Sequence, residues 1–252
     1  MDRANLPGDD ADHWLAKPPS ADDPAAPARR LRLMPERAAF DPVSGTLFVA
    51  DVHIGKAAVF RARGLPVPRG TTRATLARLS QAVRRSGARR LVVLGDFLHA
   101  RESHAVATMA ALSDWRAQHA TLECLVVEGN HDRHAGRVQA GLGIQTLQGA
   151  YVAGDLRGVH EPDDAGGSDP SAALAWLTLA GHVHPVVTLG TRRDRLRLPC
   201  FWLRGAVLTL PAFGEFTGGH LVGRPRHDAE RQQCFVIGDA VRPMPPVGPA
   251  TA

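Results

Sequence analysis

Four short apolar runs in this chain break off in the same way, each passing straight into a cluster of carboxylate, amide or imidazole side chains. Thr46 to Ala50 runs into Asp51-Val52-His53, and Leu91 to Leu94 into Gly95-Asp96-Phe97-Leu98-His99. Leu122 to Val127 continues through Glu128 into Gly129-Asn130-His131-Asp132, and Leu174 to Ala180 into Gly181-His182-Val183-His184. Runs of this length, rich in Val and Leu, read as buried strands. Open α/β sheets bind their ligands beyond the carboxyl ends of such strands. The pattern therefore asks for a fold in which four strand ends converge, with Gly95, Gly129 and Gly181 letting the backbone turn or approach closely beside them.

Two helical patterns lie between the runs. Thr71 to Ser86 carries Leu76, Leu79 and Val83 at helical spacing, with Thr71 or Thr72 as capping residue and Gly87 as the stop. Ser103 to His119 is the second, with Val106, Met109, Ala110 and Leu112 on its apolar side. Strands alternating with helices imply right-handed crossovers and a sheet with parallel pairs. After residue 150 helices thin out, and Tyr151 to Ala153, Val186 to Leu189, Phe201 to Leu203, Val207 to Leu210 and Phe235 to Ile237 read as a second, mixed sheet. The expected organisation is one domain over 30–241. Disordered tails are expected at 1–29, rich in Asp, Pro and Ala, and at 242–252, and a mobile loop over Glu161 to Pro170.

Carboxylates and imidazoles together suit transition metals such as Mn, Fe or Zn, whereas an all-oxygen cage suits Mg or Ca. On an extended segment, Asp51 and His53 point the same way and can grip one ion; His182 and His184 share that relation. Asp96 has two oxygens with which to bridge a second ion, and Asn130 adds a neutral oxygen. Each element has an ordinary reading: Asp-x-His is common, Gly129-Asn130 is a turn signal, and Gly95-Asp96 can cap a helix. Four such coincidences at four strand ends are a poorer account than one shared site. His13, His104, His119, His134, His220 and His227 read as surface or satisfied core residues.

Composition limits the partners. No stretch approaches the roughly 18 apolar residues of a membrane span, and the first residues lack a secretory signal. The three scattered cysteines fit a reducing, cytoplasmic setting. The net charge is +5; residues 1 to 30 hold six acids and four bases, which leaves the remainder at +7. A basic body favours phosphate-bearing ligands, although 28 of the 30 basic residues are arginine, a bias that genome composition alone can produce.

Asp51-x-His53, Gly95-Asp96, Gly129-Asn130-His131-Asp132, a lone His160 and Gly181-His182-x-His184 together resemble the signature of the calcineurin-like metallophosphoesterases. That resemblance implies a four-layer αββα sandwich, two mixed sheets flanked by helices, with two divalent ions where strand ends meet. Manganese is the first expectation, and Mg, Fe or Zn the others. By position, the first ion resembles one held by Asp51, His53, Asp96 and His184, and the second one held by Asp96, Asn130, His160 and His182. Paired ions of this kind share an activated water or hydroxide and clamp the phosphate. His131 then falls to the phosphate, as imidazolium or proton donor, with His99 assisting. Many members have Asp where this chain has His99, so the partner that orients His131 is open, with Asp132 as candidate. Arg61, Arg63, Arg69 and Arg133 follow the motifs and suit flanking phosphates.

Further segments narrow the likeness. Leu31-Arg-Leu-Met-Pro-Glu-Arg-Ala, Val49 to Lys56, Phe60-Arg61, Gly64 to Pro68 and Leu210-Pro-Ala-Phe-Gly-Glu-Phe-Thr-Gly-Gly219 resemble the ligase-associated DNA damage response endonucleases of the PdeM type. This implies DNA cleavage beside an ATP-dependent DNA ligase, an exonuclease and a helicase. The alternatives are a phosphodiesterase or pyrophosphatase acting on a nucleotide or a UDP-sugar lipid, and a metal-binding scaffold without catalysis.

Overall fold

The computed structural model describes residues 9–17, 30–68, 70–136, 138–162, 175–190, 194–223 and 232–245. Seven strands form the first sheet in chain order: β1 (His13–Ala16), β2 (Arg30–Met34), β3 (Ala38–Asp41), β4 (Thr46–Ala50), β5 (Arg90–Leu94), β6 (Glu123–Val127) and β7 (Ile144–Leu147). β1 to β4 pair antiparallel and β4 to β7 parallel, as the intervening helices demand. Those helices are α1 (Lys56–Ala62) and α2 (Thr71–Ser86) before β5, α3 (Val106–Gln118) before β6, and α4 (Asn130–Ala135) before β7.

β4 is buried along its whole length, and β5 and β6 nearly so, because both faces of the sheet are covered. Side-chain alternation divides β4. Leu47 and Val49 face a core with Leu76, Leu79, Leu112 and Trp115 of α2 and α3, while Phe48 and Ala50 face the second sheet. α2 stops at Gly87, left-handed at φ 67, whose N–H closes on the Val83 carbonyl, and Arg84 and Arg85 occupy its last turn, where cations oppose the helix dipole favourably. Its N-cap is Gly70 rather than Thr71 or Thr72, which lie inside the helix, and no side chain caps it.

The second sheet comprises β8 (Tyr151–Ala153), β9 (Leu156–Val159), β10 (Leu177–Ala180), β11 (Pro185–Gly190), β12 (Arg195–Arg204), β13 (Val207–Thr209), β14 (His220–Leu221), β15 (Gln232–Ile237) and β16 (Val241–Pro243). It is mixed: β9, β10 and β13 run parallel, while the ten-residue β12 pairs antiparallel with β11, β13 and β15. Leu156, Leu179, Phe201, Leu208 and Phe235 fill the space between the sheets. Among the described residues, the only helical turn after Ala135 is Ala140–Leu142, so α1 to α4 all precede the strands of the second sheet.

Two terminal expectations change. Asp12 and β1 lie within the expected N-terminal tail, yet β1 pairs with β2 from His13↔Leu33 to Ala16↔Arg30. Asp12 is buried against Arg85 at 2.9 Å and Arg32 at 3.0 Å, and the Arg30 guanidinium lies 4.8 Å over the Trp14 ring. Four residues are too few to show a period; cross-strand pairing and buried ion pairs hold them. Likewise Arg242 and Pro243 belong to β16, paired with β15. The expected loop over Glu161 to Pro170 falls outside the described residues from 163 onward.

Candidate metal centre

Strand register brings the site together. Ala50 pairs with Leu94 and Leu94 with Val127, so β4, β5 and β6 end level and release Asp51, Gly95-Asp96 and Glu128 to Asn130 at one edge. In the second sheet Ala180 pairs with Val159, which releases Gly181 beside His160. Within the second sheet Gly181 N–H donates to the His160 carbonyl at 2.9 Å, and Phe213 N–H donates to the Ala50 carbonyl at 2.8 Å, which stitches the two sheets at this edge.

Asp51 and His53 are not on extended backbone, as two-residue spacing predicts. Asp51, His53, Asp96, His182 and His184 all have positive φ, between 48° and 66°, and only two other non-glycine residues among those described do so, Arg37 and Phe216. Left-handed backbone is unfavourable for such residues and persists where the surroundings impose it, which is characteristic of functional sites. Here Asp51 N–H donates to the Gly95 carbonyl at 3.2 Å, His53 N–H to the Asp96 carbonyl at 2.9 Å and His182 N–H to Asp51 Oδ2 at 2.9 Å. Glycine is required at two of the turns for closeness. A Cβ on Gly95, left-handed at φ 76, would lie 2.0 Å from His160 Nδ1, and one on Gly129 would lie 2.4 Å from the Asp96 nitrogen.

Ligand atoms of Asp51, His53 and His184 lie within 4.8 Å of one another, as do those of Asp51, Asp96 and His160. His184 Nε2 is 3.4 Å from Asp51 Oδ1, and His53 Nε2 is 3.9 Å from Asp96 Oδ2, which joins the first set to the bridging carboxylate. His160 anchors the second set, with Nε2 at 2.8 Å from Asn130 Oδ1, 3.6 Å from Asp96 Oδ1 and 3.2 Å from His182 Nδ1. All seven residues predicted as ligands thus fall in one cluster.

The donor chemistry fits cations. Asp51 Oδ1, His53 Nε2 and His184 Nε2 are buried without a hydrogen-bond partner, an arrangement that costs free energy and that a cation seated among them would relieve. His160 Nδ1 lies 3.1 Å from the Leu94 carbonyl, to which it donates, so the lone pair of its Nε2 faces the Asn130 oxygen. A backbone carbonyl holding the far nitrogen of an imidazole is the usual outer support of a metal-bound histidine. Burial, reinforced by Lys56 and the neighbouring imidazoles, pushes the His53 pKa far below the ordinary histidine range and keeps its ring neutral. Burial raises the Asp96 pKa.

His131 stands apart from the ligands. Its Nδ1 lies 3.0 Å from the His99 carbonyl, to which it donates, its Nε2 is 4.0 Å from Asp96 Oδ2, and its side chain is 40% exposed. His99 stacks on it, with ring centroids 4.8 Å apart and planes at 25°, and burial holds the His99 pKa down to about 4. The orienting partner of His131 is therefore a main-chain carbonyl and not Asp132. Both Asp132 oxygens are occupied elsewhere, accepting from Leu98 N–H at 3.0 Å and Gly129 N–H at 3.1 Å, and so brace the loops after β5 and β6.

Of the predicted arginines, Arg61 and Arg63 are exposed on and just after α1, Arg133 is exposed with Glu128 3.5 Å away, and Arg69 lies outside the described residues, as does His227. Two residues were not foreseen. Glu161 offers an oxygen within 4.8 Å of the His160 and His182 nitrogens, its only sequence signal being adjacency to His160. Lys56, one of two lysines in the chain, is half-buried beside the site, and burial lowers its pKa while Asp51 and Asp96 oppose that shift.

Comparison with solved structures gives a strong match. The crystal structure of Pseudomonas putida nuclease MPE is 38% identical to this chain, covers 92% of it and 100% of its own length, and superposes with a TM-score of 0.73. YfcE, a phosphoesterase from E. coli, is 18% identical over 78% of this chain and 95% of its own, with a TM-score of 0.40. A Vps29 variant from Entamoeba histolytica is 15% identical over 79% of this chain and 96% of its own, with a TM-score of 0.34. These last two are too distant to carry any argument. No protein-family model matches the chain, and no curated protein does.

Proposed function

The chain belongs to the calcineurin-like metallophosphoesterases and is a metal-dependent phosphoesterase, and from that premise we propose that it is a dinuclear phosphodiesterase that cuts DNA. The observation that carries this reading is the set of unpartnered buried acceptors, Asp51 Oδ1, His53 Nε2 and His184 Nε2, beside the second set around His160. Asp51, His53 and His184 would hold one ion and Asn130, His160 and His182 the other, while Asp96 offers one oxygen toward each set. Two bound ions supply Lewis acidity and a water of lowered pKa for in-line displacement at phosphorus.

The chain's own part follows from its protons. With Nδ1–H committed to the His99 carbonyl, His131 presents Nε2 to the substrate, where as imidazolium it donates to a phosphoryl oxygen or to the departing oxygen. Lys56 adds positive charge at the same mouth, and Arg61, Arg63, Arg69 and Arg133 take flanking phosphates. The nuclease among its structural relatives and the net charge of +5 support DNA as the substrate. The PdeM-like segments support manganese as the working metal and a cytoplasmic repair setting with an ATP-dependent ligase, an exonuclease and a helicase.

The test is metal analysis of the purified protein, followed by assays on single-stranded, gapped and duplex DNA with Mn, Mg or Zn. Two ions per chain and DNA cleavage lost in Asp96→Asn are expected. Cleavage confined to nucleotides or UDP-sugar lipids, or two ions with no phosphodiester cleavage, overturns the reading. Because phosphate contacts release counterions, DNA affinity is expected to fall steeply with salt.

A further inference from the structure

Resting on the DNA-cleaving reading above, we propose that Phe216 is a specificity residue that stacks on a nucleobase beside the scissile phosphate. The segment around it is pinned at both ends to loops that carry metal ligands. At its start, Gly214 N–H donates to the Asp51 carbonyl at 3.0 Å; at its end, His220 N–H donates to the His184 carbonyl at 3.0 Å. Asp51 and His184 belong to the same candidate ligand set, so both ends of the segment are tied beside it. With consecutive Cα atoms 3.8 Å apart, Phe216 lies within about 8 Å of the Gly214 Cα.

Among the described residues, Phe216 belongs to none of the hydrophobic core clusters. Phe216 is 47% exposed, whereas Phe213 in the same segment is wholly buried. Its φ of 57° places it in left-handed backbone, where glycine is the default. The chain supplies glycine freely nearby, at Gly214, Gly218 and Gly219, yet keeps a bulky apolar side chain at the disfavoured position. Flat aromatic rings beside a cationic surface are how proteins hold exposed bases without reading their sequence, because every base has a π face. The metal centre and the arginines recognise phosphate and so cannot distinguish a nucleotide from any other phosphodiester, whereas a stacking ring can.

The test uses the intact protein with manganese and short oligothymidines in which one abasic nucleotide is stepped along the strand. Wild type is expected to cut phosphates flanking the abasic position on the order of tenfold more slowly than other phosphates. Phe216→Ala is expected to flatten that dip, and Phe216→Trp to keep it. Phe216→Gly, which relieves the left-handed backbone, is expected to melt no lower than wild type and still to flatten the dip, which separates base binding from folding. A dip retained in both Phe216→Ala and Phe216→Gly overturns the assignment while leaving DNA cleavage standing. Absence of any oligonucleotide cleavage by wild type overturns both.

Discussion

A single methyl group at Gly214 tests whether the metal centre is positioned through the backbone. Gly214 packs flat against the loop after β4: a Cβ built there lies 2.4 Å from the Val52 carbonyl oxygen, 3.0 Å from the Val52 carbonyl carbon and 3.2 Å from the Asp51 carbonyl oxygen. All three are main-chain atoms, so no side chain can swing aside. Reaching an ordinary contact of 3.4 Å requires a shift of about 1 Å, shared between Gly214 and the Val52–His53 peptide. Val52 sits between two ligands whose left-handed backbone is already held by its surroundings. Overpacking of this kind costs about 1–3 kcal/mol, a drop of roughly 2–6 °C in melting temperature for a chain of this size. The larger effect is on turnover, since a misplacement of about 1 Å can cost on the order of a hundredfold. Gly218→Ala is the control from the same segment, because nothing lies within 4 Å of its added Cβ. Activity on bis(4-nitrophenyl) phosphate with manganese, read beside thermal melts, decides the matter. Gly214→Ala with turnover within about threefold of Gly218→Ala would refute positioning through this contact.

Other substitutions address other parts of the chain. His131→Ala should lower turnover by about a hundredfold or more while metal content, measured by plasma emission, stays at the wild-type value. Metal loss would make His131 a ligand. Arg85→Met removes the guanidinium that meets the buried carboxylates of Asp12 at 2.9 Å and Glu36 at 2.6 Å, leaving Asp12 to Arg32 and Glu36 to Gln81, and should cost about 3 kcal/mol by urea unfolding. A loss under about 1 kcal/mol would show that Arg32 carries Asp12 unaided. Burial pushes the Cys124 thiol up to about 11, so below that pH it stays protonated, and only on the order of one thiol in a thousand is ionised at pH 8. Iodoacetamide should therefore leave it unmodified in the native protein at pH 8, and rapid alkylation there would refute the shift.

What the sequence made legible was decided by burial. β4, β5, β6 and β10 are runs of apolar residues covered on both faces, so they stand out, and the ligands follow at their ends. β2 and β3 were not legible, because each is four or five residues interrupted by Arg32 or closed by a turn at Arg37, and they are held by pairing with neighbours. α1, seven residues with Arg61 exposed, was visible only as a motif. The candidate ligands were readable as side-chain types that the fold brings together, but the groups supporting them were not. Carbonyls of Leu94, Gly95, Asp96 and His99 hold His160, Asp51, His53 and His131, and a carbonyl has no letter in the sequence. Asp132 shows the converse: its chemistry invited a partnership with the adjacent histidine, and only the fold reveals that two N–H groups claim it first.

The inverted dihedral angles at Asp51, His53, Asp96, His182 and His184 have a consequence for anyone wishing to graft this centre elsewhere. Copying the seven side chains onto a host with ordinary strand ends would aim them apart, since their directions are set by turns and not by rotamers. The transferable unit is the set of loops with their torsions, together with the 214–220 segment that clips two of them, and a donor of that kind brings its own geometry or brings nothing.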